Sequence, residues 1–159
     1  MIEPYEEVIQ GEKTLRLPPT PRHELICGRL HAALQAGVAN FASTKLLEIR
    51  SSIFLGSGNE FCPDLALMTA ANSKLWLAVE VVNSGDHQAD TVLKKEVYEA
   101  ARIPRLWMVD PRYDNVEVYY ATTYGLRLQE ILATRDVLTE KLLPEFQMAL
   151  PDLFAPANG

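Results

Sequence analysis

Two apolar runs on either side of a short polar turn constrain this chain more than any other feature. Asp64-Leu65-Ala66-Leu67-Met68 and Leu75-Trp76-Leu77-Ala78-Val79-Glu80-Val81-Val82 flank Ala70-Ala71-Asn72-Ser73-Lys74. Both runs have strand length, and a hairpin pairing Thr69 with Leu75 sets Asp64 opposite Glu80. On that register Leu65 and Leu67 share one side with Leu77 and Val79. Ala66, Met68, Ala78 and Trp76 share the other side with Asp64 and Glu80. Strands that are apolar on both faces belong in the middle of a covered sheet. Directly opposed residues hold their Cβ atoms roughly 4.5–5.5 Å apart, and like charges that close are destabilising without a compensating neighbour. The acidic pair therefore calls for a partner, and a divalent metal ion is the partner that brings chemistry with it.

The rest of the chain supplies elements to cover such a sheet. Tyr5–Ile9 and Lys13–Leu17 read as two short strands around the turn-forming Gln10-Gly11, closed by Pro18-Pro19-Thr20-Pro21. Ile26, Leu30, Ala33, Leu34, Val38 and Phe41 recur at helical spacing, predicting a helix over 22–41 with Thr20 as N-cap and Pro21 at its first position. Residues 46–55 read as a strand ending in the turn Gly56-Ser57-Gly58-Asn59. A second helix is expected over 89–102, with Leu93, Val97, Ala100 and Ala101 facing inward, after the loop Asn83-Ser84-Gly85-Asp86. Asp86-His87 reads as its cap. Residues 105–109 form a short central strand carrying Trp107, and 116–121 with 126–132 form a hairpin around Tyr124-Gly125. The tail from Leu143 to Phe154 mixes apolar residues with prolines and reads as an irregular strap. Strands with two helices between them predict an α/β fold with a mixed central sheet.

Composition narrows the classes. The 159 residues carry neither a repeat nor a linker, so one domain over 1–159 is expected. No run approaches the roughly 18 apolar residues that a membrane span needs. The acidic start, Met1-Ile2-Glu3-Pro4-Tyr5-Glu6-Glu7, is unlike a secretion signal, which predicts a cytoplasmic protein. Cys27 and Cys62 stand far apart and form no Cys-x-x-Cys pair, so they read as reduced thiols. The net charge of −6 argues against broad electrostatic binding to a phosphate backbone. A local basic groove, or a metal that supplies positive charge, remains compatible with it.

The candidate chemistry rests on Glu12, Asp64, Glu80 and Lys94. Magnesium, or manganese in its place, takes oxygen ligands and needs only one or two carboxylates, and the backbone carbonyl of Val81 offers a further oxygen. Such an ion polarises a phosphodiester and acidifies a bound water. Lys94 lies on the helix after Glu80, with Tyr98 four residues on and on the same face. Its ammonium suits orienting that water and stabilising negative charge. Plainer readings stand beside these. Asp64 after Pro63 is a common turn former, Glu80 and Lys94 make a structural salt bridge, Lys95 competes with Lys94, and Glu12 is one of several surface acids. His23 reads as a phosphate or metal ligand or as a capping or packing residue, and both tryptophans as core.

Pro63-Asp64 followed by Glu80-Val81-Val82 resembles the PD-(D/E)xK nuclease superfamily, with valine where the lysine usually stands two residues after the second acid. That departure resembles one branch, the Uma-two family of restriction-endonuclease-like proteins, in which the lysine sits on the following helix. The ordered series Gly11-Glu12, Pro19–His23, Pro63-Asp64, Glu80 through Ser84, Lys94 through Tyr98, Ile103-Pro104, Leu106 through Pro111 and Val116 through Tyr119 carries the likeness over nearly the whole chain. The resemblance implies a restriction-endonuclease-like core with Asp64 and Glu80 as metal ligands, Lys94 as the water-orienting group and Glu12 as an accessory acid. It implies a magnesium-dependent endonuclease on DNA, and a homodimer would place two sites on two strands. The alternatives are a catalytically inactive nuclease-fold module for nucleic-acid or protein binding, and an enzyme acting on a small phosphorylated ligand, for which no Gly-rich phosphate loop is present.

Overall fold

The computed structural model describes residues 3–83 and 89–157, the side chains of residues 89 and 90 excepted. The proposed cap Asp86-His87 and the loop residues Ser84, Gly85 and Asp86 lie outside them. A tight hairpin joins β1 (Tyr5–Ile9) to β2 (Glu12–Arg16). Gln10 and Gly11 both take positive φ, 52° and 84°, the left-handed pair that a two-residue hairpin turn requires. Helix α1 (Pro21–Val38) starts as expected, with the Thr20 hydroxyl accepting from the His23 backbone N–H at 3.2 Å. It buries His23, Ile26, Cys27, Leu30, Leu34 and Gly37.

The expected strand over 46–55 is instead two short ones. β3 (Thr44–Leu46) and β4 (Ile53–Phe54) belong to different sheets. The chain between them turns, with Arg50 at φ 57°, while Leu47 and Arg50 donate their backbone N–H groups to the carbonyls of Ala66 and Asp64. Then come β5 (Glu60–Phe61), β6 (Leu65–Thr69) and β7 (Leu75–Val81). A π-helical turn (Ala89–Leu93) leads into α2 (Lys94–Ala100). β8 (Arg105–Asp110), β9 (Asn115–Thr122) and β10 (Gly125–Leu132) follow. The last elements are β11 (Val137–Glu140), β12 (Leu143–Ala149) and α3 (Leu150–Phe154). The tail is thus an ordered hairpin and a short helix rather than an irregular strap. Its apolar side packs on α1 so closely that a Cβ at Gly37 would stand 2.8 Å from the Phe146 Cβ.

The six-stranded sheet has the order β10-β9-β8-β7-β6-β3, with β7 and β8 parallel and the other pairs antiparallel. β7 is buried throughout, as a strand covered on both faces must be. One face packs on α1, β12 and α3 through Ile26, Leu30, Leu34, Trp107, Phe146 and Leu153. The other packs on α2 and the small sheet β2-β1-β5-β4 through Ile9, Phe61, Val97, Tyr98 and Met108.

The β6–β7 hairpin has the expected register at one end and a different one at the other. Leu65 opposes Val79, Ala66 opposes Ala78 and Leu67 opposes Leu77 as expected, while Asp64 precedes the strand and its Oδ2 accepts the Val81 backbone N–H. At the turn the pairing slips: Met68 opposes Leu75, and the Thr69 N–H bonds the Lys74 carbonyl at 2.9 Å. Ser73 in a left-handed conformation, φ 52°, tightens the turn, and a bulge at Trp76 absorbs the extra residue. Trp76 is therefore turned to the α1 side, where its Nε1–H donates to the Thr44 hydroxyl at 2.8 Å, and not to the side on which Glu80 meets α2. The α2 stripe is likewise displaced. Lys94, Val97 and Tyr98 are buried while Leu93 and Ala100 are exposed, because a π-helical turn does not carry 3.6-residue periodicity into the helix. Among the described residues no helix is long and apolar enough to cross a membrane.

Candidate active site

Four segments bring ionisable side chains to the end of the central sheet. β7 contributes Glu80, the residue before β6 contributes Asp64, α2 contributes Lys94 and Tyr98, and β1 contributes Glu7. All five are buried. Lys94 Nζ lies 2.6 Å from Glu80 Oε2 and 2.8 Å from Glu7 Oε2. The Tyr98 hydroxyl donates to the same Glu80 oxygen at 2.5 Å. The spacing of four between Lys94 and Tyr98 thus places both donors on one carboxylate. Lys95 instead sits over the Tyr119 ring, 4.4 Å from its centroid, so Lys94 is the lysine that meets Glu80.

Glu7 anchors the other side of Lys94. Its Oε1 accepts from Arg16 Nε at 2.6 Å, and its Oε2 also accepts the Cys62 backbone N–H at 2.7 Å. Burial pushes the Glu7 carboxyl up, but the Lys94 and Arg16 charges and these hydrogen bonds outweigh it and hold it below the usual carboxylate range. Glu12, the accessory acid expected from sequence, is not in the cluster. It opposes Ile9 beside the hairpin turn, on the same face as Glu7 but beyond the cluster, and it is exposed. The sequence did hold the signal: in a hairpin that buries Ile9, period-two alternation turns Glu7 inward too.

Asp64 has a different set of partners. Oδ2 accepts the Val81 backbone N–H at 2.8 Å, while Oδ1 lies 3.0 Å from Arg50 Nη1 and 3.4 Å from His23 Nε2. The same His23 nitrogen lies 3.1 Å from the Val81 carbonyl oxygen. Burial opposes ionisation of Asp64, but His23, the Val81 N–H and the Lys94 charge together hold it low. Burial pulls the His23 pKa down, and the bond to the Asp64 carboxylate reverses this and raises it. His23 and Arg50 are site residues that sequence reasoning did not place beside Asp64.

The Tyr5 phenol is held protonated first by burial, then by the negative charges of Asp64, Glu7 and Glu80 together. Hard oxygen donors held as carboxylates beside one ammonium suit magnesium or manganese. The second possible group is His23, Cys27 and Asp64, whose ligand atoms lie within 4.8 Å of one another. In this group burial pushes the Cys27 thiol up.

A mixed sheet covered by helices on both faces, with acids at one end and a buried lysine on the crossover helix, defines a restriction-endonuclease-like α/β protein. The chain belongs to the Uma2 family: the family model described as "Putative restriction endonuclease" matches residues 3–151. A crystal structure from Anabaena variabilis ATCC 29413, described as "a putative nuclease belonging to DUF820", shares the fold with a TM-score of 0.80 at 15% identity. The superposition covers 96% of this chain and 91% of that one. No curated protein matches the sequence.

Proposed function

We propose that this protein is a divalent-cation-dependent nuclease that hydrolyses DNA phosphodiester bonds. The observation that carries the reading is the buried Lys94 ammonium bound to Glu80, with Asp64 hydrogen-bonded to the next residue, Val81, in a chain of this family. Asp64, Glu80 and the Val81 carbonyl would hold magnesium or manganese. The ion, when bound, would polarise the phosphodiester and lower the pKa of its water. Lys94 presents a fixed positive charge to the negative charge that develops on phosphate. Glu7 is a positioning residue, since it fixes Lys94 through Oε2 while Arg16 fixes Oε1. Tyr98 fixes the Glu80 carboxylate. Glu12 has no part in this arrangement. We read the working form as a cytoplasmic homodimer, in which two sites meet two strands.

A second reading has its own support. Each acid in the cluster already has a cation or a donor on it, as a protein that keeps the fold for nucleic-acid or protein binding would also display. Plasmid incubated with protein and magnesium or manganese separates the two. Nicking or linearisation that Asp64→Ala and Glu80→Ala abolish supports the nuclease. Equal cleavage by wild type and variants implicates a contaminant and removes the support.

A further inference from the structure

Arg50 is a charged neighbour of Asp64 to which the nuclease reading gives no task. Its guanidinium divides between two carboxylates, with Nη1 3.0 Å from Asp64 Oδ1 and Nη2 2.6 Å from Glu24 Oε1. The residue stands in the turn between β3 and β4 with φ 57°, a conformation that L side chains seldom adopt. Its backbone N–H donates to the Asp64 carbonyl at 3.2 Å. The turn is therefore tied to Asp64 through main chain and side chain alike.

We propose that Arg50 is a displaceable counter-ion: it neutralises Asp64 when no divalent cation is bound, and it retreats onto Glu24 when a cation takes that carboxylate. The inference rests on the reading that Asp64 holds the cation. Its logic is electrostatic. A carboxylate as buried as Asp64 needs a positive partner, and an unpaired one is strongly destabilising. A divalent ion on the same oxygen supplies more positive charge than Arg50 does, and the two cations repel. A guanidinium does not deprotonate in a protein, so the conflict must be relieved by movement. The geometry allows that movement at Oδ1 and not at Oδ2, because Oδ2 is held by the Val81 main chain whereas Oδ1 is held by side chains. Glu24 already grips the other edge of the guanidinium, and its side chain is 28% exposed. Arg50 can leave Asp64 without being stranded. Lys94 has no such freedom, since both its carboxylates are buried.

Arg50 thus sets the affinity for the cation, with a sign that an ordinary positioning residue would not give. Calorimetric titration of the full chain with manganese chloride at fixed ionic strength tests this on wild type, Asp64→Ala, Arg50→Gln and Glu24→Gln. Wild type is expected to bind and Asp64→Ala to lose binding. If they behave alike, the cation reading itself fails. Arg50→Gln is expected to bind at least about tenfold tighter, the equivalent of one decade in Kd. Its melting temperature should fall without metal and rise with manganese by more than that of wild type. Equal or weaker binding by a folded Arg50→Gln overturns the proposal while leaving the site in place. Glu24→Gln, on the more exposed side, keeps the proposal falsifiable if Arg50→Gln does not fold. It removes the seat onto which Arg50 retreats, so manganese should bind about threefold more weakly or worse, and unchanged or tighter binding overturns the proposal.

Discussion

The two halves of the charge cluster are built differently. The Glu80 half is closed: the Glu7, Arg16, Lys94 and Glu80 side chains are each no more than 4% exposed, and α2, β1, β2 and β7 fix them. The Asp64 half is half open. The Arg50 and Glu24 side chains are 12% and 28% exposed, and His23 shares the Asp64 carboxylate with Arg50. The proposed exchange of partners belongs to the more exposed half. That difference suits a site in which a fixed ammonium and carboxylate wait beside a carboxylate that takes up a cation.

The largest effect is expected in the closed half. Glu7→Gln leaves Arg16 and Lys94 short of a buried counter-charge and should cost about 3–5 kcal/mol in denaturant unfolding. A loss below about 1 kcal/mol, the value of an exposed pair, would mean that the half is more open than it looks. The variant also tests the acid limb. Because the Glu7 carboxyl is held below its ordinary value of 4.5, the stability it contributes is present above that pH and is lost as pH falls through the folded value. Glu7→Gln should flatten that part of the profile.

A smaller effect with the opposite sign belongs to the open half. The His23 pKa is raised above its ordinary value of 6.5, so its contribution is full below that pH and is lost as pH rises through the folded value. Thermal melts of wild type should decline modestly over that range, and His23→Gln should remove the decline. An unchanged decline would place its source elsewhere and weaken the contrast between the halves.

Much of this arrangement was legible in residue order. The apolar runs 64–68 and 75–82 announced a central hairpin, and their alternation gave the register of Leu65 to Leu67 against Leu77 to Val79, because side-chain alternation is strict over a few residues. The spacing of Lys94 and Tyr98 gave the helix face. Harder features depended on distant segments. Trp76 changes sides through a bulge that one left-handed serine imposes. Arg50 meets Asp64 because 46–55 breaks between two sheets, and no local pattern announces such a break. His23 reaches Val81 because α1 crosses the end of the sheet. Glu7 was within reach, since it shares the parity of Ile9, but the resemblance pointed to Glu12. The tail was obscured by its prolines, although Pro144 stands within β12, in a sheet of two strands where one edge lacks a ladder partner.

The most direct test of the cation site is anomalous scattering from a crystal soaked in manganese chloride. The arrangement predicts a peak bounded by Asp64, Glu80 and the carbonyl of Val81, with the Arg50 guanidinium drawn towards Glu24. A peak seated on His23 and Cys27, or no peak beside Asp64 and Glu80 at saturating manganese, would contradict it.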